Sequence, residues 1–275
     1  VTFCHDCLKS ATLLIKSTAN IKFMTFQEIL IYFTITALAA AINSVAGGGT
    51  FLTFPVFIMS GLSPLQANVM STIALWPGTI SSAYGYRKQL TINRKRLLPL
   101  LLVCIIGGVA GSMVLLHTPE KTFKQLVPWL LLIATLIFTF GKYAIGWLHK
   151  NFPNSKEYHW LVVILQVFIS FYGGYFGAGI GILMLAMLQL MGYSNIHQMN
   201  ALKTLLAATI GAATAMIFSF TNVVIWDIAA IMIAGGLFGG YVGARLALKV
   251  SPAHIRFLVS VIGFSMTTYF FLVGV

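Results

Sequence analysis

Ten apolar runs follow one another through almost the whole chain, at residues 27–46, 50–60, 67–86, 96–116, 125–147, 159–178, 180–191, 200–220, 225–248 and 254–274. Eight of them reach the ~20 residues that a helix needs to cross a bilayer. The charge count agrees: Lys and Arg number 17 and Asp and Glu only 5 among 275 residues, or 8%, where a soluble domain carries roughly 25%. Soluble classes are therefore excluded, and the connections are too short for a sizeable soluble domain. The net charge of +12 sits between the apolar runs, so it reads as orientation in a membrane, and no nucleic-acid partner is expected.

The text of the chain repeats. Gly61-Leu62-Ser63 followed by Asn68-Val69-Met70-Ser71-Thr72 returns as Gly192-Tyr193-Ser194 followed by Asn200-Ala201-Leu202-Lys203-Thr204. Gly108-Val109-Ala110-Gly111 returns as Gly240-Tyr241-Val242-Gly243, and Lys124-Gln125-Leu126 as Arg256-Phe257-Leu258. The spacing is 131 residues at Gly61 and 132 beyond it, so a single insertion separates two parallel halves of five runs each. The expected division is 27–148 and 159–275, preceded by an extension, residues 1–25. Its non-Met start and the Met24 just before the first run suggest an upstream extension or a misassigned start. Cys4-His5-Asp6-Cys7 in that extension lacks the second ligand pair of a zinc site and reads as unpaired thiols. Internal duplication is the mark of secondary transporters, whose site lies where the halves meet.

Arg87, Lys88, Arg94, Lys95 and Arg96 crowd one short connection, which the positive-inside rule places in the cytoplasm. Ten runs that all change side put Arg245, Lys249 and Arg256 on that side too and make the halves inverted. Eight crossings, with each short run completing the helix before it, put those three outside. The charge bias favours the first count. The expected fold is an all-α polytopic membrane protein of two inverted halves, each with a glycine-broken short or re-entrant segment.

The breaks are glycine clusters, Asn43-Ser44-Val45-Ala46-Gly47-Gly48-Gly49-Thr50 in one half and Gly173-Gly174-Tyr175-Phe176-Gly177-Ala178-Gly179-Ile180-Gly181 in the other. Each glycine disfavours helix by about 1 kcal/mol, and a helix that opens just past a break presents a partial positive charge to an anion. Pro55 is expected to keep the first short run irregular. For Gly107–Gly111 and Gly235–Gly243 the expected role is close helix packing. Asn68, Ser71 and Thr72, and their counterparts Asn200, Lys203 and Thr204, fall at i, i+3 and i+4 on one helical face. Lys203 is expected to supply the positive charge that draws an anion in, with snorkelling to the interface as the alternative.

With these residues in view, the chain resembles the TauE/SafE sulfite exporters. The resemblance rests on Asn43 to Thr50 leading to Pro55, the Gly61-to-Thr72 stretch, the basic loop after Tyr84-Gly85-Tyr86, and the cluster from Tyr172 to Gly181, and it spans residues 27 to 275. It implies an integral plasma-membrane permease for small organosulfur or carboxylate anions such as sulfite. The second cluster departs from a triple-glycine pattern.

The expected function is a secondary anion exporter whose substrate-binding set is Asn43, Ser44, Gly47, Gly48, Gly49, Thr50, Asn68, Ser71, Thr72, Gly177, Gly179, Asn200, Lys203 and Thr204. Its expected partners are a small anion, the bilayer and a coupling ion, and no cofactor, metal or catalytic residue is expected. An intramembrane enzyme and a membrane-protein assembly factor stay open as alternatives, although no HExxH, GxSxG or P-loop motif is present. Asp227, the one acid near a span, opens the ninth run, where it favours the helix dipole.

Overall fold

The computed structural model describes residues 25–90, 92, 94–151, 159–193, 195–247 and 252–273. The extension before Thr25, with its Cys4–Cys7 stretch, lies outside them, as does Ser194. Among the described residues there are ten α-helices, one 3-10 turn at Arg87–Gln89 and no strand. The helices are α1 (Phe26–Ala46), α2 (Thr50–Met59), α3 (Pro64–Gly85), α4 (Arg94–His117), α5 (Glu120–Asn151), α6 (His159–Tyr175), α7 (Ile180–Leu190), α8 (Ile196–Ser219), α9 (Trp226–Ala247) and α10 (Pro252–Val273). The described residues from Tyr32 onward form one compact unit, and residues 25–31 group separately.

Helix boundaries shift by a few residues from the apolar runs because caps, not hydropathy, set them. Pro64 stands at the start of α3, and Ser63 forms a reciprocal capping box with Gln66, so α3 begins three residues before its apolar run. Asn195 accepts from the amides of His197 and Gln198 and starts α8 early in the same way. Pro55 does not break α2: the helix is continuous around it, because a short helix loses only one intrahelical bond to the ring.

Among the described residues, five helices are both long and apolar enough to cross a membrane: Phe26–Ala46, Lys95–His117, Glu120–Phe140, Ile196–Ser219 and Trp226–Ala247. Helix α3 has 22 residues, long enough to span, but its polar side chains dilute its hydropathy. Thr50–Met59 and Ile180–Leu190 are too short to span. The outer surface is apolar, with Leu102, Ile106, Phe168, Met216 and Phe238 all exposed, the pattern of a lipid-facing wall. Inside, Phe51, Phe54 and Phe57 of α2 are fully buried: Phe51 packs on Phe138 of α5, Phe54 on Phe176 just past α6 and on Phe270 of α10, and Phe57 on Tyr32 of α1.

Close backbone contacts fix the helix directions. Gly235, Gly239 and Gly243 of α9 meet Phe33, Ala37 and Ala41 of α1 in that order, so these helices run parallel. Gly78, Ser82 and Gly85 of α3 meet Gly236, Gly240 and Ala244 of α9, again in parallel. On the other side, Cys104, Gly107 and Gly111 of α4 meet Gln166, Ser170 and Tyr175 of α6. In each case the facing residue leaves no room for a Cβ on the glycine, so the small residues serve close packing.

Candidate functional site

A cavity of about 70 Å³ lies where α1, α3, α6, α7 and α8 come together. Both glycine breaks wall it. Gly47, at φ +82°, and Gly177, at φ +78°, take the left-handed conformation just past the ends of α1 and α6, where glycine carries no Cβ penalty. The breaks touch: a Cβ on Gly47 would lie 2.5 Å from Gly181 Cα, and one on Gly181 would lie 2.6 Å from Gly47 Cα. The short helices α2 and α7 therefore both begin at the cavity, with Thr50, Ile180 and Gly181 in its lining. Their opening amides are only partly used. Phe51, Leu52 and Thr53 donate to Gly48 and Gly49 carbonyls, and Ile180 and Ile182 to Gly177 and Gly179 carbonyls, which leaves Thr50 and Gly181 N–H without a carbonyl partner.

Lys203 is 2% exposed, so snorkelling to water is ruled out. Its ammonium reaches across to the C-terminal end of α1, donating to the carbonyl of Ser44 at 3.1 Å and to those of Asn43 and Val45 at 3.5 Å each. A cation there satisfies orphan carbonyls and meets the negative end of the helix dipole. Tyr86 Oη adds a second donor to the Ser44 carbonyl at 3.4 Å. Lys203 also lines the cavity, where no other ionisable side chain appears among the described residues.

The hydroxyls of the lining differ in what they have left to give. Thr72 donates to the Asn68 carbonyl, Thr79 to that of Trp76, and Thr204 to those of Asn200 and Ala201. Ser71, 1% exposed, has a hydroxyl with no partner.

Of the residues expected at the site, Asn43, Ser44, Gly47, Thr50, Ser71, Thr72, Gly177, Lys203 and Thr204 line the cavity. The others stand behind its wall. Gly48 packs on Phe138 and Val259, where a Cβ would lie 2.8 Å from each. Gly49 donates its N–H to Asn43 Oδ1 at 3.5 Å. Gly179, at φ +75°, caps α7. Asn68 turns away and donates to the Tyr175 carbonyl at 2.9 Å, closing the end of α6, and Asn200 is buried on the matching turn of α8.

Sequence reasoning missed Trp76, Thr79, Ser82, Phe176 and Gly211. The signal existed, because Thr72, Trp76 and Thr79 continue the Ser71 face of α3 at helical spacing.

The family model described as "Sulfite exporter TauE/SafE" matches residues 32–270, which takes in the whole of this site. The chain belongs to the TauE/SafE sulfite exporter family. A probable membrane transporter protein of Haemophilus influenzae is 26% identical to it over 238 residues, covering 86% of this chain and 92% of that protein. The probable membrane transporter protein ORF9 of a Sinorhizobium species is 26% identical over 245 residues, with 88% and 92% covered. YfcA of Escherichia coli, also named a probable membrane transporter protein, is 26% identical over 255 residues, with 91% and 92% covered. No solved structure matches the chain. This TauE/SafE member is a multi-pass membrane transporter.

Proposed function

We propose that the cavity binds one small monoanion, a hydrogen sulfite, sulfonate or short carboxylate, and that the protein exports it by alternating access of two inverted halves. The observation that carries the reading is the meeting of two helix N-termini beside one buried ammonium. Four helix ends converge on the cavity: α1 and α6 arrive with partial negative charge, and α2 and α7 leave with partial positive charge, each roughly half an elementary charge. These oppose one another, and the Lys203 ammonium is the cation of the lining. A small anion suits that lining.

The donors suit oxyanion oxygens. Ser71 Oγ–H and the amides of Thr50 and Gly181 are uncommitted, and the Lys203 ammonium is shared with carbonyls, which an anion would outcompete as a charged acceptor. Size limits the ligand as well. The cavity holds about 70 Å³ where one water needs ~10–15 Å³, so the space suits an anion of a few heavy atoms.

The helix directions support inversion. Helices α1, α3 and α9 run parallel to one another and α4 runs parallel to α6, two sets that opposed first helices of inverted halves would require. The Tyr84 and Tyr241 rings lie 6.3 Å apart near the ends of α3 and α9, with Arg87 over the first and Arg245 over the second, which supports the ten-crossing charge count. The test is flux in proteoliposomes loaded with labelled sulfite, with methanesulfonate, acetate, sulfate and potassium as competitors. Saturable efflux that small monoanions inhibit and sulfate does not is the expected result. Absence of saturable anion flux in well-inserted protein defeats the reading.

A further inference from the structure

We infer that Trp76 is the size filter of the cavity: its indole is the partition between the polar chamber and the lipid-facing surface, and it sets the largest anion that the transporter accepts. The inference rests on the anion-transport reading above and adds the specificity element that reading lacks. Trp76 is the one residue that the chamber shares with a second, open groove of about 490 Å³ on the outer face of the bundle. That groove is apolar, walled by Ile80, Ile105, Leu205, Ala212 and Met216, and three of these, Ile80, Ile105 and Met216, are strongly exposed. On one side of the indole lie Ser71, Thr72 and Lys203; on the other lies a trough fit for acyl chains.

The indole is held as a fixed wall. Trp76 Nε1 donates to the Ala208 carbonyl on α8 at 3.1 Å, which locks the ring across the α3–α8 crossing. Gly211 makes its place, since a Cβ there would lie 2.8 Å from indole Cδ1. The residue 132 positions after Trp76 is Ala208, so the duplicated text supplies no second ring and the partition comes from one half alone. Without the indole, the chamber and the groove become one space, with an ammonium at its inner end and hydrocarbon at its outer end. That shape takes an alkyl anion, head inward.

The test uses full-length protein in proteoliposomes, with labelled sulfite efflux challenged by straight-chain alkanesulfonates from methane- to octanesulfonate. Wild-type protein is expected to be inhibited by the shortest members only. Trp76→Ala should bring inhibition by the long members to at least tenfold lower concentrations, while Trp76→Phe, which keeps a ring, should hold the original chain-length limit. Gly211→Ala, which crowds the indole, should lower the limit. An inserted, sulfite-exporting Trp76→Ala protein with the wild-type chain-length profile overturns the filter. Should that variant fail to insert, Trp76→Leu and Gly211→Ala decide the matter, and an unmoved limit in both overturns it equally. Wild-type protein that moves no anion is a different outcome, which defeats the transport reading and the filter together.

Discussion

Positions of this transporter that match in sequence 132 residues apart answer each other closely in their packing and differ at the cavity. Ser82 donates to the Gly240 carbonyl at 2.9 Å and Thr214 to the Gly108 carbonyl at 3.5 Å, and these are the same pair of positions taken 132 residues apart. Gly61 and Gly192, matched in the repeated text, have φ of +86° and +88°. At the cavity the matching stops. The place of Lys203 is taken in the first half by Ser71, and the place of Trp76 in the second by Ala208. The C-terminal end of α1 is held by an ammonium and that of α6 by the Asn68 amide. Packing thus depends on positions the halves share, while charge and selectivity come from positions where they diverge.

The comparison breaks hardest at the glycine turns. Gly47 and Gly177 both hold a left-handed φ, which costs a residue with a Cβ about 1–2 kcal/mol. A Cβ on Gly47 would also lie 2.5 Å from the Gly181 Cα, whereas the nearest atom to a Cβ on Gly177 is the Gly173 carbonyl oxygen at 3.1 Å. Gly47→Ala should therefore lose most of the monodisperse protein in detergent, and Gly177→Ala should keep it with a Tm lower by a few degrees. Equal behaviour on size exclusion would show that the contact between the breaks is not essential.

A middle-sized effect is expected at Asn68. Asn68→Ala strips the Tyr175 carbonyl of its donor, at a cost of about 1–3 kcal/mol for a buried group left unpaired, visible as a fall in thermal stability. Because Asn68 stands behind the cavity wall, anion affinity should hardly move; a large loss of affinity at unchanged Tm would place it in the site instead. The smallest effect sharpens the symmetry. Ser82→Ala and Thr214→Val each remove one interhelical bond, ~0.6 kcal/mol on average in membrane proteins, and the longer Thr214 bond should cost less.

Much of this was readable beforehand, for physical reasons. Glycines that take a left-handed turn or admit a neighbouring helix cannot be replaced cheaply, so Gly61, Gly192 and the stripes of α4 and α9 stand out in the sequence. The two breaks were legible for the same reason. Within a run such as Gly47-Gly48-Gly49, however, composition does not say which glycine faces a cavity, and only Gly47 does. The role of Lys203 at α1 was hidden too, since its partners are main-chain carbonyls about 160 residues earlier, and carbonyls leave no mark in a sequence. Trp76 looked like one more apolar residue of a span, because a partition between two spaces is defined by both of its sides.

The central claim is that one buried ammonium gives the cavity its charge, and the most direct measurement is sulfite binding to Lys203→Gln in detergent, followed calorimetrically against wild type. The glutamine amide still offers protons to the α1 carbonyls, so the variant should remain folded. It lacks the charge-assisted bond, about 1.5–3 kcal/mol, so affinity should fall roughly 10- to 100-fold. A folded Lys203→Gln protein that binds sulfite as tightly as wild type would contradict the account.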